Sequence, residues 1–63
     1  MYYRIEIAIG NDAFSPEPGP ELARILRKLA HRIEGSDEEG LESIIRLLDY
    51  NGNAVGTAAL SDI

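Results

Sequence analysis

His31 is the only histidine in the chain, and its ordinary pKa would suit proton transfer near neutral pH. On a helical wheel it falls opposite the apolar stripe of its segment, flanked by Arg27 and Lys28, which is typical of a solvated surface histidine. A metal site would need further ligands that converge on His31, and no histidine or carboxylate pattern with metal spacing supplies them. The sequence therefore predicts neither a general base nor a metal ligand at this position.

The carboxylates and hydroxyls form no recognisable catalytic group. Asp37, Glu38 and Glu39 are adjacent acids, whereas acid–base catalysis needs two carboxyl groups held in different environments across a cleft. No motif positions a base beside a serine, and the glycines form no phosphate-binding loop. The absence of cysteine excludes a thiolate nucleophile, a disulfide and a cysteine-ligated zinc ion. We therefore expect no enzyme activity, no catalytic residue, no cofactor and no metal.

The strongest positive feature is a row of basic side chains. The spacing i, i+3, i+4, i+7 and i+8 places five such groups on one exposed helical face: Arg24, Arg27, Lys28, His31 and Arg32. This face could meet phosphate or an acidic protein surface. A solvated face, partly neutralised by Glu21 and Glu34, is the alternative interpretation, because any amphipathic helix directs charge outward.

Acidic residues crowd the segment that follows. Five carboxylates occur within nine residues: Glu34, Asp37, Glu38, Glu39 and Glu42. Such a cluster could imitate a run of phosphates or dock a partner, or it could be a hydrated turn. Tyr2 and Arg4, on the exposed face of the first predicted strand, are further candidates for partner binding, since exposed tyrosine is common at interfaces.

The first element that positions these groups is a strand. Apolar residues alternate with Arg4, Glu6 and Ala8, which predicts a half-buried strand over residues 2–9. Residues 10–19 are proline-rich and are predicted to form an extended connector, because proline lacks an amide donor. Phe14 is the one large apolar group available to fix this connector on the core.

A helix is predicted over residues 20–34. Its apolar residues fall in one narrow stripe, at Leu22, Ile25, Leu26, Leu29 and Ile33. Pro20 suits the first helical position, Glu21 complements the positive helix start, and Gly35 suits the C-terminal cap.

The segment after this helix admits two interpretations. Ser36 to Glu39 match a capping box and the apolar spacing continues, so a second helix over 37–49 is one alternative. Gly40 argues against it, and Asn51-Gly52 is strong hairpin-turn chemistry in which Asp49 can accept a local backbone hydrogen bond. We therefore predict an acidic turn over 35–42 and a hairpin over 43–60, with its register left open.

These elements predict a small α+β domain of order β-α-β-β, with a three-stranded sheet and one amphipathic helix on one face. Its expected core is Ile5, Ile7, Leu22, Ile25, Leu26, Leu29, Ile33, Ile45, Leu47 and Val55. A chain of 63 residues supports one domain, residues 1–63, with little stability to spare. A homodimer that buries more apolar surface would compensate for the small core.

The charge and hydropathy of the chain restrict its partners. Eleven acids against six bases give a net charge of −5, which disfavours general binding to phosphate backbones. Nucleic acid is therefore not the first partner to expect. No apolar run approaches the length that spans a membrane, and the first ten residues lack the apolar region of a signal peptide. We expect a soluble cytoplasmic protein with no membrane partner.

Three stretches of the chain, Asn11–Phe14, Glu21–Ile33 and Leu48–Gly56, are similar to short uncharacterised proteins encoded on bacterial phages and other mobile elements. The resemblance spans most of the chain and implies no catalytic residue. It implies a small accessory factor of a kind that often binds a host or phage protein, and inhibitors of bacterial defence, including anti-CRISPR proteins, are one such class.

Two functions follow from the sequence. The first is a non-catalytic protein-interaction module that docks a host or phage protein through its sheet face, its sheet edge, or its charged helix and turn. The alternative is a small nucleic-acid-binding regulator that uses the basic helix face. The two differ in whether an acidic protein surface or a phosphate backbone meets the basic side chains.

Overall fold

A computed structural model describes all of residues 1–63 and contains one three-stranded antiparallel sheet with one main helix on a single face. The last strand is central, between the first and the second. This small α+β domain confirms the predicted fold class. The elements in chain order are β1 (Tyr2–Ile7), a 3₁₀ turn (Asp12–Phe14), α1 (Pro18–Glu34), α2 (Glu38–Glu42), β2 (Ile45–Leu48) and β3 (Ala54–Ser61).

The hairpin between β2 and β3 has a definite register. Ile45 pairs with Ala58 and Leu47 pairs with Gly56, but Leu48 pairs with Ala54, so Val55 forms a bulge in β3. Residues 49–53 form the connecting loop, in which Gly52 has a φ of 85°. This left-handed conformation favours glycine, as the Asn51-Gly52 pair predicted.

The helix α1 begins at Pro18, two residues before the expected start at residue 20. The prediction that the connector over 10–19 stays outside regular structure was therefore wrong for Pro18, whereas Pro20 lies in the helix as expected. The reason is that the first helical turn leaves its amides without intrahelical partners, so a proline there forfeits no hydrogen bond. Gly35 caps the other end, and its N–H donates to the carbonyl of Ile33.

The predicted acidic turn over 35–42 contains a short helix, α2. The side chain of Asp37 caps this helix by accepting a hydrogen bond of 2.9 Å from the N–H of Gly40. The alternative of one helix over 37–49 is also wrong, because α2 ends at Glu42 and β2 begins at Ile45. Gly40 suits α2 because a Cβ there would lie 2.9 Å from Cβ of Ser36.

The first strand ends at Ile7, earlier than the expected residue 9, although the N–H of Ala8 still donates to Val55 at 2.8 Å. The connector then forms the 3₁₀ turn, in which Asn11 accepts a hydrogen bond from the N–H of Ala13. This turn directs Phe14 into the core, where it is only 2% exposed. Phe14 therefore fixes the connector as expected.

The buried apolar core is smaller than predicted: Ala13, Phe14, Ile25, Leu29, Ile45, Leu47 and Ala58. Leu26 and Ile5, both expected in it, are each 42% exposed. The cause is the position of α1, whose Arg24 reaches the backbone of Leu48 in β2. The helix thus lies toward the β2 side of the sheet and leaves Ile5 of β1 incompletely covered. The other four expected core residues are partly buried around it: Ile7, Leu22, Ile33 and Val55.

Candidate functional site

The structure divides the predicted basic face of α1. Arg24 is drawn into an ion pair with Glu21, with Nε at 2.6 Å from one carboxylate oxygen and Nη2 at 3.0 Å from the other. Arg27 is exposed on the opposite side of α1 from the sheet. On the side of α1 that faces β2, Lys28, His31 and Arg32 remain without an acidic partner. The five residues therefore do not form one binding face.

Lys28, His31 and Arg32 line a groove between α1 and β2. The groove has a volume of about 300 Å³, and Arg46 of β2 joins Lys28, His31 and Arg32 around it. A second hollow of about 470 Å³ continues from Arg32 and Arg46 to Gly52. We call both hollows together the basic groove. Its apolar lining consists of Ile25, Leu29, Ile44, Ile45, Leu47 and Leu48.

The cations of the basic groove have no acidic partner within the chain. The two ion pairs of the structure are Arg4 with Glu6 and Arg24 with Glu21. Lys28, Arg32 and Arg46 are thus unpaired, and no acidic residue lines either hollow. An acidic chain therefore concentrates positive charge at one apolar groove, where an anionic group would meet both charge and a partly desolvated environment.

The outer side of β2 bounds this groove and carries free backbone groups. The N–H of Asp49 donates to the carbonyl of Asn53 at 2.9 Å, and alternate residues of an antiparallel strand direct their backbone groups to opposite sides. The backbone groups of Arg46 and Leu48 therefore point away from β3. The carbonyl of Leu48 accepts from Arg24 at 3.1 Å, which leaves the N–H and C=O of Arg46 available to an added strand.

The predicted acidic site is spread over an exposed helix. Asp37, Glu38, Glu39 and Glu42 are all exposed, and only the carboxylate of Asp37 accepts a hydrogen bond, from the N–H of Gly40. These four carboxylates lie on or beside α2 and do not line the basic groove. No group of three or more histidine, cysteine, aspartate or glutamate side chains has the geometry to hold a metal ion.

The other predicted contacts, Tyr2 and Arg4, lie on β1, on the face of the sheet opposite to α1. Tyr2 is 65% exposed. Arg4 donates a hydrogen bond of 2.6 Å to the carbonyl of Ile63 and forms an ion pair of 3.2 Å with Glu6. This face carries a balanced pair of charges, unlike the basic groove.

Beside Arg24 lies a buried polar cluster, whose burial sequence reasoning missed, although the prediction that Asp49 accepts local backbone hydrogen bonds is confirmed. Glu21 and Asp49 are both buried, at 7% and 4% exposure. Asp49 accepts hydrogen bonds from the backbone amides of Asn51 and Asn53, each at 2.9 Å, and from the side chains of Asn11 at 2.8 Å and Asn53 at 3.2 Å. Asp49 thereby ties the connector to the hairpin.

Both carboxylates of this cluster are stabilised in their charged form. The hydrogen bonds from Arg24 lower the pKa of Glu21, against the opposing effect of burial, and the N–H of Tyr50 lowers it further. Burial acts to raise the pKa of Asp49, but its hydrogen bonds to Asn53, Asn11 and Asn51 together hold it below the ordinary value. With their lone pairs occupied from within the chain, these groups stabilise the fold and offer little to a ligand.

In comparisons with known proteins, no family model, no curated protein and no solved structure matches the chain. No helix of the structure combines the length and the apolar character needed to cross a membrane.

Proposed function

We propose that this chain is a non-catalytic protein-interaction module, in which the basic groove binds an extended acidic segment of a partner protein. The observation that carries the proposal is the placement of three unpaired cations, Lys28, Arg32 and Arg46, around an apolar groove beside the free edge of β2. An acidic partner would supply the missing countercharges.

The free edge favours an extended segment over a helix. A strand added beside β2 would exchange backbone hydrogen bonds with Arg46, and its alternate side chains would fall on the α1 side. Carboxylates at those positions would meet Lys28 and Arg32, and the apolar side chains between them, on the opposite face, would contact Leu48. The preferred ligand therefore alternates acidic and apolar residues.

The mobile-element resemblance of the sequence makes a host or phage protein the natural source of such a segment. Nucleic acid is the alternative ligand, since phosphates would also meet the three cations. The withdrawal of Arg24 into its ion pair with Glu21 reduces the basic face and disfavours this alternative. The acidic character of the chain disfavours it further, because eleven acids against six bases give a net charge of −5.

The test uses a labelled peptide of alternating glutamate and valine, with a serine–glycine peptide and a single-stranded oligonucleotide as competing probes. We compare the wild-type chain with Lys28→Glu/Arg46→Glu, and with Arg27→Glu as the control on the same helix outside the groove. Fluorescence anisotropy should report binding of the acidic peptide to the wild type and to Arg27→Glu. The groove variant should lose it, and added salt should weaken it.

Two outcomes would contradict the proposal. Equal affinity of the wild type and the groove variant for the acidic peptide would show that the groove cations are only solvated. The second outcome is a wild-type chain that binds the oligonucleotide more tightly than the acidic peptide and loses this binding in the groove variant. That result would favour the alternative function, nucleic-acid binding, over protein binding. Circular dichroism should confirm that each variant is folded.

A further inference from the structure

The side of the domain opposite the basic groove is apolar and uncovered. Leu26 lies on the edge of α1 away from Arg24, together with the partly buried Leu22 and Ile33. Ile5 lies on the face of the sheet that α1 packs against, since it pairs with the buried Ala58. We call this side the β1 face. Leu26 and Ile5 are each 42% exposed there.

The strand at this side also has a free edge. The N–H of Ala8 donates to the carbonyl of Val55 in β3 at 2.8 Å. Because backbone direction alternates along an antiparallel strand, residues 2, 4 and 6 direct their backbone groups toward β3 as well. The N–H and C=O groups of Tyr3, Ile5 and Ile7 therefore point outward, beside an apolar surface. An edge of this kind is a template for another strand.

The exposed area supports a second copy of the chain as the occupant. A folded monomer of 6.9 kDa should expose about 4,000 Å², whereas this chain exposes 4686 Å². The excess, about 700 Å², is close to the roughly 800 Å² that each partner buries in an interface of standard size.

The charges of β1 make it complementary to itself. Consider two β1 strands paired antiparallel so that Ile5 of one copy lies opposite Ile5 of the other. The numbers of any two residues that face each other then add to ten. Arg4 of each copy then faces Glu6 of the other, and Tyr3 faces Ile7. Moving the centre to Arg4 or to Glu6 would instead oppose like charges, which destabilises a strand pair. Only the register centred on Ile5 also pairs the outward backbone groups of residues 3, 5 and 7.

We propose that the chain forms a two-fold symmetric homodimer through this β1–β1 pairing, which extends the sheet to six strands and covers the β1 face. The inference is independent of the proposed function, because the basic groove lies at the opposite edge of each sheet. Both grooves remain open in the dimer, one at each end of the extended sheet.

A charge-exchange series tests the register. Arg4→Glu and Glu6→Arg each place like charges opposite one another twice in the dimer, so each should weaken dimerisation by about tenfold or more. The double variant Arg4→Glu/Glu6→Arg restores opposite charges and should recover the wild-type dissociation constant. Sedimentation equilibrium of the full chain over a range of concentrations gives these constants, with circular dichroism as the check on folding.

A single cysteine tests the geometry directly, because the chain has no cysteine of its own. The Cα atoms of the two Ile5 residues would lie about 5.5 Å apart in the dimer, within the range that a disulfide spans. Ile5→Cys should therefore form a covalent dimer under mild oxidation. Tyr2→Cys, on the same strand, should not, because the two sites would be about 20 Å apart.

Three results would overturn the proposal. One is a wild-type chain that sediments as a monomer at every concentration. Another is a double charge exchange that stays as weak as the single variants. The third is Tyr2→Cys crosslinking as readily as Ile5→Cys, which would indicate random collision or a different partner surface.

Discussion

The carboxylate of Glu21, in the first turn of α1, accepts a hydrogen bond of 2.8 Å from the backbone N–H of Tyr50, in the turn of the hairpin. The same carboxylate holds Arg24, which donates in turn to the carbonyl of Leu48 at the end of β2. Glu21 and Arg24 therefore join two elements that are distant in sequence, and they set the position of α1 over β2. This position creates the basic groove on one side of α1 and leaves the β1 face uncovered on the other.

The buried carboxylates predict loss of stability in acid. The pKa values of Glu21 and Asp49 lie below their ordinary values of 4.5 and 3.8 in the folded chain. Folding therefore favours their charged forms, and the stabilisation is present above these ordinary values and lost as the pH falls through the lowered ones. We expect the thermal midpoint, followed by circular dichroism, to fall steeply below about pH 4.

Matched variants separate these two groups from the other acids. Glu21→Gln/Asp49→Asn should lower the midpoint at neutral pH and flatten its decline in acid, because fewer protons are then linked to unfolding. Glu17→Gln/Asp12→Asn removes two exposed acids and should leave the decline as it is. An equal decline in both double variants would assign the acid sensitivity elsewhere.

Gly56 in the central strand should not tolerate a side chain. A Cβ at this position would overlap the backbone carbonyl oxygen of Glu6 on the neighbouring strand, beside the bulge at Val55. Since the obstacle is backbone, Gly56→Ala should lower the free energy of unfolding by at least about 3 kcal/mol. Gly10→Ala meets nothing within 4 Å and should change it by less than about 0.5 kcal/mol. Urea unfolding of both variants provides the comparison, and similar midpoints would show that the strands separate easily here.

Much of the fold could be predicted because its signals are local. The alternation in β1 and the 3.6-residue period in α1 each lie within one element, and Asn51-Gly52 specifies its own turn. The short helix α2 was missed because the capping signal at Ser36 to Glu39 was weighed only as the start of one helix over 37–49, against which Gly40 argued. In the structure Asp37 caps a helix that ends at Glu42 and contains Gly40. Which of two conflicting local signals determines the structure depends on packing contacts between residues, and the spacing of apolar residues along the sequence does not describe those contacts.

The candidate site was less predictable, because it depends on where α1 lies across the sheet. The helical wheel of α1 correctly places Lys28 and Arg32 together, but it treats Arg24 as equivalent to them. The buried carboxylate of Glu21 pairs with Arg24 and thereby removes Arg24 from the basic face. Glu21 becomes buried only when the helix docks on the hairpin. Arg46 joins the groove from a strand, and no helical spacing could have linked it to α1.

Duplex DNA should bind weakly if the basic groove serves a protein partner. Three unpaired cations act within a chain of net charge −5, and phosphate contacts weaken steeply with salt. At about 150 mM salt, fluorescence anisotropy with a labelled duplex should give no sub-micromolar complex. A tight complex abolished by Arg32→Glu, but not by Arg27→Glu, would favour nucleic acid over protein.

The two leucines that follow one another along α1 should differ in their contribution to stability. Leu29 is 4% exposed within the core, so Leu29→Ala should lower the free energy of unfolding by about 3 kcal/mol through lost burial and a residual cavity. Leu26 is 42% exposed in the isolated chain, so Leu26→Ala should cost less than about 1 kcal/mol at low protein concentration. Chemical unfolding over a dilution series measures both. At concentrations where two copies associate through the β1 face, the cost of Leu26→Ala should rise while that of Leu29→Ala stays large throughout. Equal costs for both leucines at high dilution would mean that α1 presents a different face to the sheet.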